Sequence, residues 1–543
     1  MHNFWEKAKK WNRHKIFTSI MAVLFVALFL QLFHITIFQG HKFRKLADER
    51  RVKDIAITAQ RGKIRDRNGV VLAGNRPVFA VQIRKDELDR FSREEKNDAY
   101  LLLSRYLEED GAGYMKANPI VLNAFVYRDL NDYKYADEPK AEVLDALMEK
   151  DKLAQFLNAR WKKPYRAHYD YSVMKQLLRQ RVFQDGGMEA SAGRVYYTDP
   201  QKAARFKERY GLSQKSEARE DLIAFLTDHP MHVEEILSHP IGRKLAYEIV
   251  KKDVPDIGLR TYGNEYYDGY IQAKVRLMDI SKDVTWSSSA AEDLIAVLAK
   301  RDPEKFLLSD EEILKDSVDF AGEKGADLSL KEQNDKTVVV DKKGNLAYDK
   351  LVHVVTQKKN RKDFAALEGM PEKIQTYLID EGTVTGISVS GEKPNYTELN
   401  NAIDFAKGAG LKGAASSKKI FEAQRDRFEI AKDLSPYEVF GILNIYDSIG
   451  SQGSYAYMPI NYAYEIQDET VAKIEEKLSN RSGIHISVEP IRYYPEGNLA
   501  AHVLGYIGNI AQDKEIDKYV KKKGYNRNDL IGKTGMEQVF EDR

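Results

Sequence analysis

The sequence predicts an α+β protein with a single N-terminal transmembrane helix and an extracytoplasmic domain split by a large, mainly helical insertion. Three observations carry this. A long uncharged apolar run lies near the N-terminus, strand-like alternation appears at two places far apart in the chain, and charged helix-forming runs fill the interval.

The apolar run is residues 16–38 (IFTSIMAVLFVALFLQLFHITIF). A bilayer-crossing helix takes roughly 20 apolar residues. Lys7, Lys9, Lys10, Arg13 and Lys15 precede it, which sets residues 1–15 as a cytoplasmic tail and the bulk of the chain outside. Lys42, Arg44 and Lys45 make the far flank basic too. A cleaved signal peptide is the rival reading. The run is long for one, and no small-x-small cleavage site follows it.

Residues 41–53 read as a polar helix leaving the membrane, and 54–59 (DIAITA) alternate like a strand. Asn68-Gly69 then signals a type I′ hairpin turn. With 78–83 (VFAVQI), residues 54–85 form a small antiparallel sheet. From 91 to 430 helical runs dominate. KTVVVDKKGNLAYDKLVHVVT (336–356) is a second hairpin candidate, turned at Lys343-Gly344-Asn345. Three Ser-led, acidic, Leu-ending segments (216–226, 287–298 and 435–443) read as recurrent helix capping, not a repeat. Near the C-terminus, Asp468 caps a helix with Val471, Ile474 and Leu478 on one face, and Gly483 ends it. Residues 484–489 (IHISVE) form a half-buried strand that Pro490 closes. The expected domains are 39–90 and 431–543, two parts of one unit, around the insertion 91–430.

Composition narrows the function. A chain of 543 residues calls for two or three domains. A net charge of +2 gives no basic excess for a nucleic-acid partner. The chain has no cysteine, which removes thiol chemistry, disulfides and Cys-ligated metals. No P-loop, dinucleotide fingerprint or EF-hand loop appears, so no cofactor is expected. His232, Glu235 and His239 fall on one helical face, with His229 nearby, as a zinc site would want. Pro230 and Pro240 explain the segment equally as a short capped helix, and no metal is assigned. The aromatic cluster YGNEYYDGY (262–270) reads as packing ahead of a glycan platform.

Three motifs remain. The first is Arg61-Gly62-x-Ile64-x-Asp66-Arg67-Asn68-Gly69-x-x-Leu72-Ala73. The second is Arg492-x-Tyr494-Pro495-x-Gly497, continued by His502-x-x-Gly505-Tyr506 and Gly508. The third is Gly532-x-x-Gly535-Met536-Glu537. Their order behind an N-terminal anchor, together with Tyr457-Met458-Pro459-Ile460, resembles the class B penicillin-binding proteins, most closely the elongation-type penicillin-binding protein 2 group. Met536 departs from the usual Leu. The resemblance implies an extracytoplasmic pedestal (dimerisation) domain that seats a serine transpeptidase domain and acts in peptidoglycan cross-linking. It also implies a membrane location, contact with wall-synthesis proteins such as a glycan polymerase, and a homodimer as an open option. Gly62 and Gly69 permit close or positive-φ backbone. Arg61, Asp66 and Arg67 are expected to bond distant segments, with an Arg61 or Arg67 pair to Glu537.

The family's chemistry needs S-x-x-K, S-x-N and K-[ST]-G in that order. Ser172-x-x-Lys175, Ser390-x-x-Lys393 and Ser416-x-x-Lys419 match the first by chance-level spacing, and no S-x-N follows. Lys533-Thr534-Gly535 matches the last but lies inside the third motif. No catalytic residue is assigned. The chain stops six residues after Glu537, where the resemblance places the start of a catalytic domain. The expectation is therefore an anchor and pedestal without that domain: a truncated product, a partial gene or half of a split one. Two rivals stay open: a stand-alone wall-assembly scaffold that works by binding, and an anchored hydrolase or acyltransferase with an internal Ser-Lys pair. The insertion is either a stalk extension or a partner surface.

Overall fold

The computed structural model describes residues 13–33, 60–128, 138–163, 169–191, 193–333, 336–390, 393–413, 415–451, 459–479, 483–497, 499–510, 513–525 and 529–541. The expected helix 41–53, the strand 54–59, Tyr457 and Met458 lie outside these residues. Helix α1 is Arg13–Phe33, so the expected span 16–38 is covered only in part. Every large apolar side chain from Phe17 to Phe33 is exposed. Among the described residues no helix is long and apolar enough to cross a membrane.

The sheet that organises the rest is built on β2 (Val71–Ile83). Strand β1 (Ile64–Arg65) pairs with its start. Its later part pairs with β3 (Ile460–Tyr464), and almost its whole length pairs with β4 (Ile484–Tyr493). All pairings are antiparallel, so strands nearly four hundred residues apart in sequence share one sheet. Ala73, Ala80, Val81 and Ile83 of β2 are fully buried. The core over them takes Ile460, Ile474 and Ile484 from the C-terminal part. It also takes Leu103, Leu107, Phe421, Ile442 and Ile445 from the stretch 91–430 or just beyond it. Leu103 and Leu107 belong to helix α2 (Arg93–Asp110), which Ser92 and Glu95 start with a reciprocal capping box.

Several local expectations change. Asn68-Gly69 does not form a two-residue type I′ turn, since only Gly69 has positive φ (+84°). Gly69 N donates to Asp66 O at 3.0 Å and Asp66 N donates to Val70 O at 2.9 Å. That is a three-residue loop, a type I turn followed by a left-handed glycine. Asp66 selects it by accepting the Asn68 and Val70 amides on Oδ1, both at 2.8 Å. Asp341 does the same for Lys343 and Asn345 around Gly344. There the chain turns as expected, but a helix, Tyr348–Thr356, follows in place of a strand. Leu351 and Val355 are four residues apart and both fully buried, a helical spacing. The strand Lys336–Asp341 pairs backwards with Leu328–Gln333.

Pro490 does not close β4, which runs on to Tyr493 with Pro490 opposite Pro77. Two facing prolines fit a non-hydrogen-bonded pair, where neither amide hydrogen is needed. Helix α4 (Asp468–Lys477) is N-capped by Gln467, not Asp468. The side-chain acceptor comes from elsewhere. Buried Asp110, the last residue of α2, accepts from Gln467 N at 3.2 Å and from Thr470 Oγ1 at 3.0 Å. Gly483 does not end α4 but opens β4, its carbonyl accepting from Arg84 N.

The rest of 91–430 forms two lobes with separate cores, one around Phe156, Leu177, Phe183 and Phe225, the other around Leu294, Phe306, Leu351 and Phe364. Two of the three Ser-led segments share more than a cap. Residues 216–226 read SEAREDLIAFL and 288–298 read SSAAEDLIAVL. In both, the second residue is the cap, Glu217 or Ser289, closed by Glu220 or Glu292. The first serine instead donates to Asp221 or Asp293. Each aspartate holds a buried lysine, Lys207 or Lys274, and accepts from a tyrosine, Tyr197 or Tyr396. Each lysine also donates to the serine carbonyl at 2.6 Å. Capping alone does not account for this shared wiring. Ser435 differs: it caps helix α3 (Pro436–Ser451), and its partner Glu438 pairs with Arg105.

Helix α3 also carries a pH-sensitive group. Asp447 accepts from Asn118 Nδ2 at 2.6 Å and Gln424 Nε2 at 3.2 Å. Burial outweighs those bonds and pushes its carboxyl up to about 6. The native state thus holds this proton more tightly than the unfolded chain, whose Asp titrates near ~4. This contribution is full below the unfolded value and is lost as pH rises towards about 6. Asp447→Asn is expected to gain stability relative to the parent across that window and hold a constant difference above it. Urea midpoints measured from acidic to neutral pH check this, and a difference that does not vary with pH would count against it.

Candidate functional site

The three sequence motifs meet at one buried carboxylate. Glu537 sits in the short helix α5 (Gly535–Val539), with its side chain 2% exposed. Its Oε1 accepts from Arg492 Nε at 2.7 Å and from the Tyr494 hydroxyl at 3.1 Å. Its Oε2 accepts from Arg61 Nη2 at 3.3 Å. Of the two arginines expected to reach Glu537, Arg61 does so. Arg67 is exposed on the hairpin loop, and Asp66 spends its hydrogen bonds inside that loop.

A second acid completes the cluster. Glu541 Oε2 accepts from Arg61 Nη2 and from Gly532 N, both at 2.7 Å. Arg61 Nη1 also reaches Leu530 O at 3.1 Å, and Arg492 Nη1 reaches Gly62 O at 2.7 Å. Asn75 Nδ2 on β2 holds the Arg61 carbonyl. Two guanidinium groups therefore face two carboxylates. Burial alone would lower the Arg61 pKa, but the hydrogen bonds and charges of Glu541 and Glu537 raise it above its ordinary value. Burial, then Glu537, raises the Tyr494 hydroxyl. Glu541 and Asn75 were not singled out from sequence. A signal exists for the first: Glu541 stands four residues after Glu537, a spacing that puts side chains on one side of a helical turn, although helix α5 itself ends at Val539.

Glycines let the second and third motifs touch through backbone. Gly505 has φ +79°, and a Cβ there would lie 1.9 Å from Thr534 O. A Cβ on Gly535 would lie 2.4 Å from Val503 O, and one on Gly532 would lie 2.0 Å from Glu537 O. Strands β5 (Ile507–Asn509) and β6 (Leu530–Gly532) pair beside them, and Lys533 N donates to Tyr506 O at 2.8 Å. Gly497 closes the turn that starts at Tyr494 and contains Pro495. His502 and the Tyr506 ring are exposed. Gly505→Ala is expected to force these strands apart and to speed hydrogen exchange of the Lys533 amide by roughly tenfold or more. Unchanged protection would refute that close-contact role.

The serine-lysine matches do other work. Ser172 caps the helix Val173–Leu178 by accepting from Lys175 N, while the Lys175 side chain is exposed. Ser416 caps Ser417–Arg427 from an exposed position. The Ser390 side chain and residues 391–392 lie outside the described residues. Lys533 Nζ is held by both oxygens of Glu515 at 2.7 Å. The histidines of the metal candidate make other contacts. His229 stacks on Phe225 and His239 on Tyr171, and His232 Nδ1 meets Gln180 Oε1 at 2.7 Å. In the 262–270 cluster, Tyr262 packs on Phe421 and Tyr270 on Tyr396.

The arrangement is an anchor that ties both chain parts together through buried ion pairs. The family described as the penicillin-binding protein dimerisation domain matches residues 56–190 and 334–543, more than half of the chain. The peptidoglycan D,D-transpeptidase MrdA of Acinetobacter baumannii is 42% identical over 77 residues, which are 14% of this chain and 11% of that protein. MrdA of Salmonella typhimurium strain SL1344 is 30% identical over 112 residues, 20% of this chain and 17% of that protein. The chain thus aligns with under a fifth of the length of these relatives. Its sheet, its converging motifs and the extent of the family match place it plainly: the chain belongs to the penicillin-binding protein dimerisation domain family, of class B type.

Proposed function

We propose that these residues form the membrane-anchored, non-catalytic pedestal of a class B penicillin-binding protein that works in peptidoglycan cross-linking. The observation that carries the proposal is the convergence of Arg61, Arg492 and Tyr494 on Glu537. An ion-paired anchor of this kind fixes the start of the chain after the membrane against its last described helix. It thereby sets the height and orientation of whatever that helix leads to. Val503, Tyr506, Leu530, Val539 and Phe540, on the segments that build the anchor, are each exposed, and exposed apolar side chains of this kind are what a docked domain would cover. The proposed occupant is the family's transpeptidase domain, with the glycan polymerase as a partner of the assembly.

The membrane assignment rests on residues 16–38. The described part of α1 exposes apolar side chains throughout, as a helix does when lipid is its solvent. The N-terminus is then cytoplasmic and the lobes extracytoplasmic.

Fluorescent-penicillin labelling of native membranes, with antibody detection of this chain on the same gel, tests the proposal. A labelled, antibody-positive band well above 62.2 kDa supports it. Labelling at 62.2 kDa itself would place an active serine inside these residues and overturn it. An unlabelled band at that mass would favour a scaffold that acts by binding alone.

A further inference from the structure

A cleft of about 390 Å³ opens where the sheet-bearing part meets the first lobe. That volume suits a small ligand. Its walls come from residues 107–122, from Lys140, from residues 171–180, from 235–243, from Glu265 at the start of the helix Glu265–Ile280, and from Phe440 on α3. Charges of both signs line it: Lys116, Lys140, Arg243, Glu108, Glu235 and Glu265. Lys140 is taken by Glu234 and Glu108 lies against His239, which leaves Lys116, Arg243, Glu235 and Glu265.

These charges are not matched to one another. Lys116 feels Arg243, Glu265 and Lys140 only as charges at a distance, with no side-chain hydrogen bond among the described residues. Glu265 likewise feels Lys116 and Arg243, and the like charge of Asp268, without a hydrogen bond. Nothing but burial acts on Glu235. Arg243 gives its donors to the carbonyls of Leu122, Leu237 and Ser238, so it forms part of the wall and hydrogen-bonds no carboxylate there. Lys116, Glu235 and Glu265 still reach water through the mouth, while protein atoms crowd their charged ends. Burial accordingly holds both carboxyls above their usual range and the Lys116 amine below its own. Separated opposite charges that stay unpaired in a crowded cleft complement a ligand carrying both signs. A singly charged ligand satisfies one set and leaves the other unpaired.

We propose that this cleft binds a small zwitterion, a free amino acid or dipeptide, with its carboxylate on Lys116 and its ammonium on Glu265 and Glu235. The reading is independent of any role in transpeptidation, since it rests on the cleft alone.

Isothermal titration of the full chain with alanyl-alanine, N-acetyl-alanyl-alanine and alanyl-alaninamide tests it. The unmodified dipeptide is expected to saturate one site, and each derivative to bind at least ~10-fold more weakly. Lys116→Gln is expected to bring the dipeptide down to the level of the C-terminal amide and leave the amide's own affinity unchanged. Glu265→Gln is expected to do the corresponding thing for the N-acetyl compound. Both side chains are exposed, so neither substitution threatens the fold, and the derivative series needs only the parent chain. No saturable heat with alanyl-alanine overturns the proposal. So does equal binding of the derivatives.

Discussion

Replacing Glu537 with alanine is expected to destabilise the chain by about 3–5 kcal/mol, the cost of leaving buried partners of an ion pair without a counter-charge. The expectation follows from where its partners stand. The Arg492 side chain is 4% exposed and bonds Glu537 directly, so its guanidinium cannot recover hydration by a small movement. Arg61 would keep Glu541 and lose less. The effect should therefore be strongly coupled to Arg492 and weakly to Arg61. A double-mutant cycle of Glu537→Ala with Arg492→Met separates the two, because coupled neighbours depart from additivity by up to ~3 kcal/mol. Unfolding midpoints in guanidinium are the measurement, with the exposed Glu208→Ala as control. If Glu537→Ala shifts the midpoint no more than the control, the anchor does not hold the two chain parts together.

The second large effect is expected at Lys274 and Asp293, both fully buried. Lys274→Met leaves Asp293 with Ser288 and Tyr396 but no counter-charge, and should cost roughly 3–5 kcal/mol. The Lys274→Met, Asp293→Leu double variant should recover much of that loss, because a buried ion pair often contributes little more than apolar side chains of similar volume. Lys207 and Asp221 should respond in the same direction. There the ion pair is longer, 3.3 Å, and the lysine is 8% exposed, so the loss should be smaller. Thermal unfolding of the four single variants and two double variants tests the ranking. Losses that are small at Lys274 and large at Lys207 would show that the two units are not equivalent in kind.

Much of the site was legible in the sequence, because its parts are short and carry unusual residue types. The Arg-Gly, Asp-x-x-Gly, Arg-x-Tyr-Pro and Gly-x-x-Gly-Met-Glu stretches stand out before any fold is known, and the resemblance they carry led to the family. Local chemistry was legible where one segment settles its own conformation. Strand alternation at 78–83 and 484–489 and the helical face of Ile474 are of that kind. It failed where a distant group intervened or where two local signals competed. Asn68-Gly69 yielded to the Asp66 carboxylate, and the cap of α4 came from Asp110, more than three hundred residues earlier in the chain.

Pairing was the part that sequence left open. Residue types announced that arginines and carboxylates would meet, because buried charge must be neutralised. They did not say that Arg61 rather than Arg67 would reach Glu537, that Arg492 would share it, or that Glu541 would join. Nor did they show that two serines would turn from capping to buried aspartates. A side chain's identity sets what it can bond. The long-range antiparallel pairing of β2 with β4, which brings residue 61 beside residue 537, sets which partner lies within hydrogen-bonding reach.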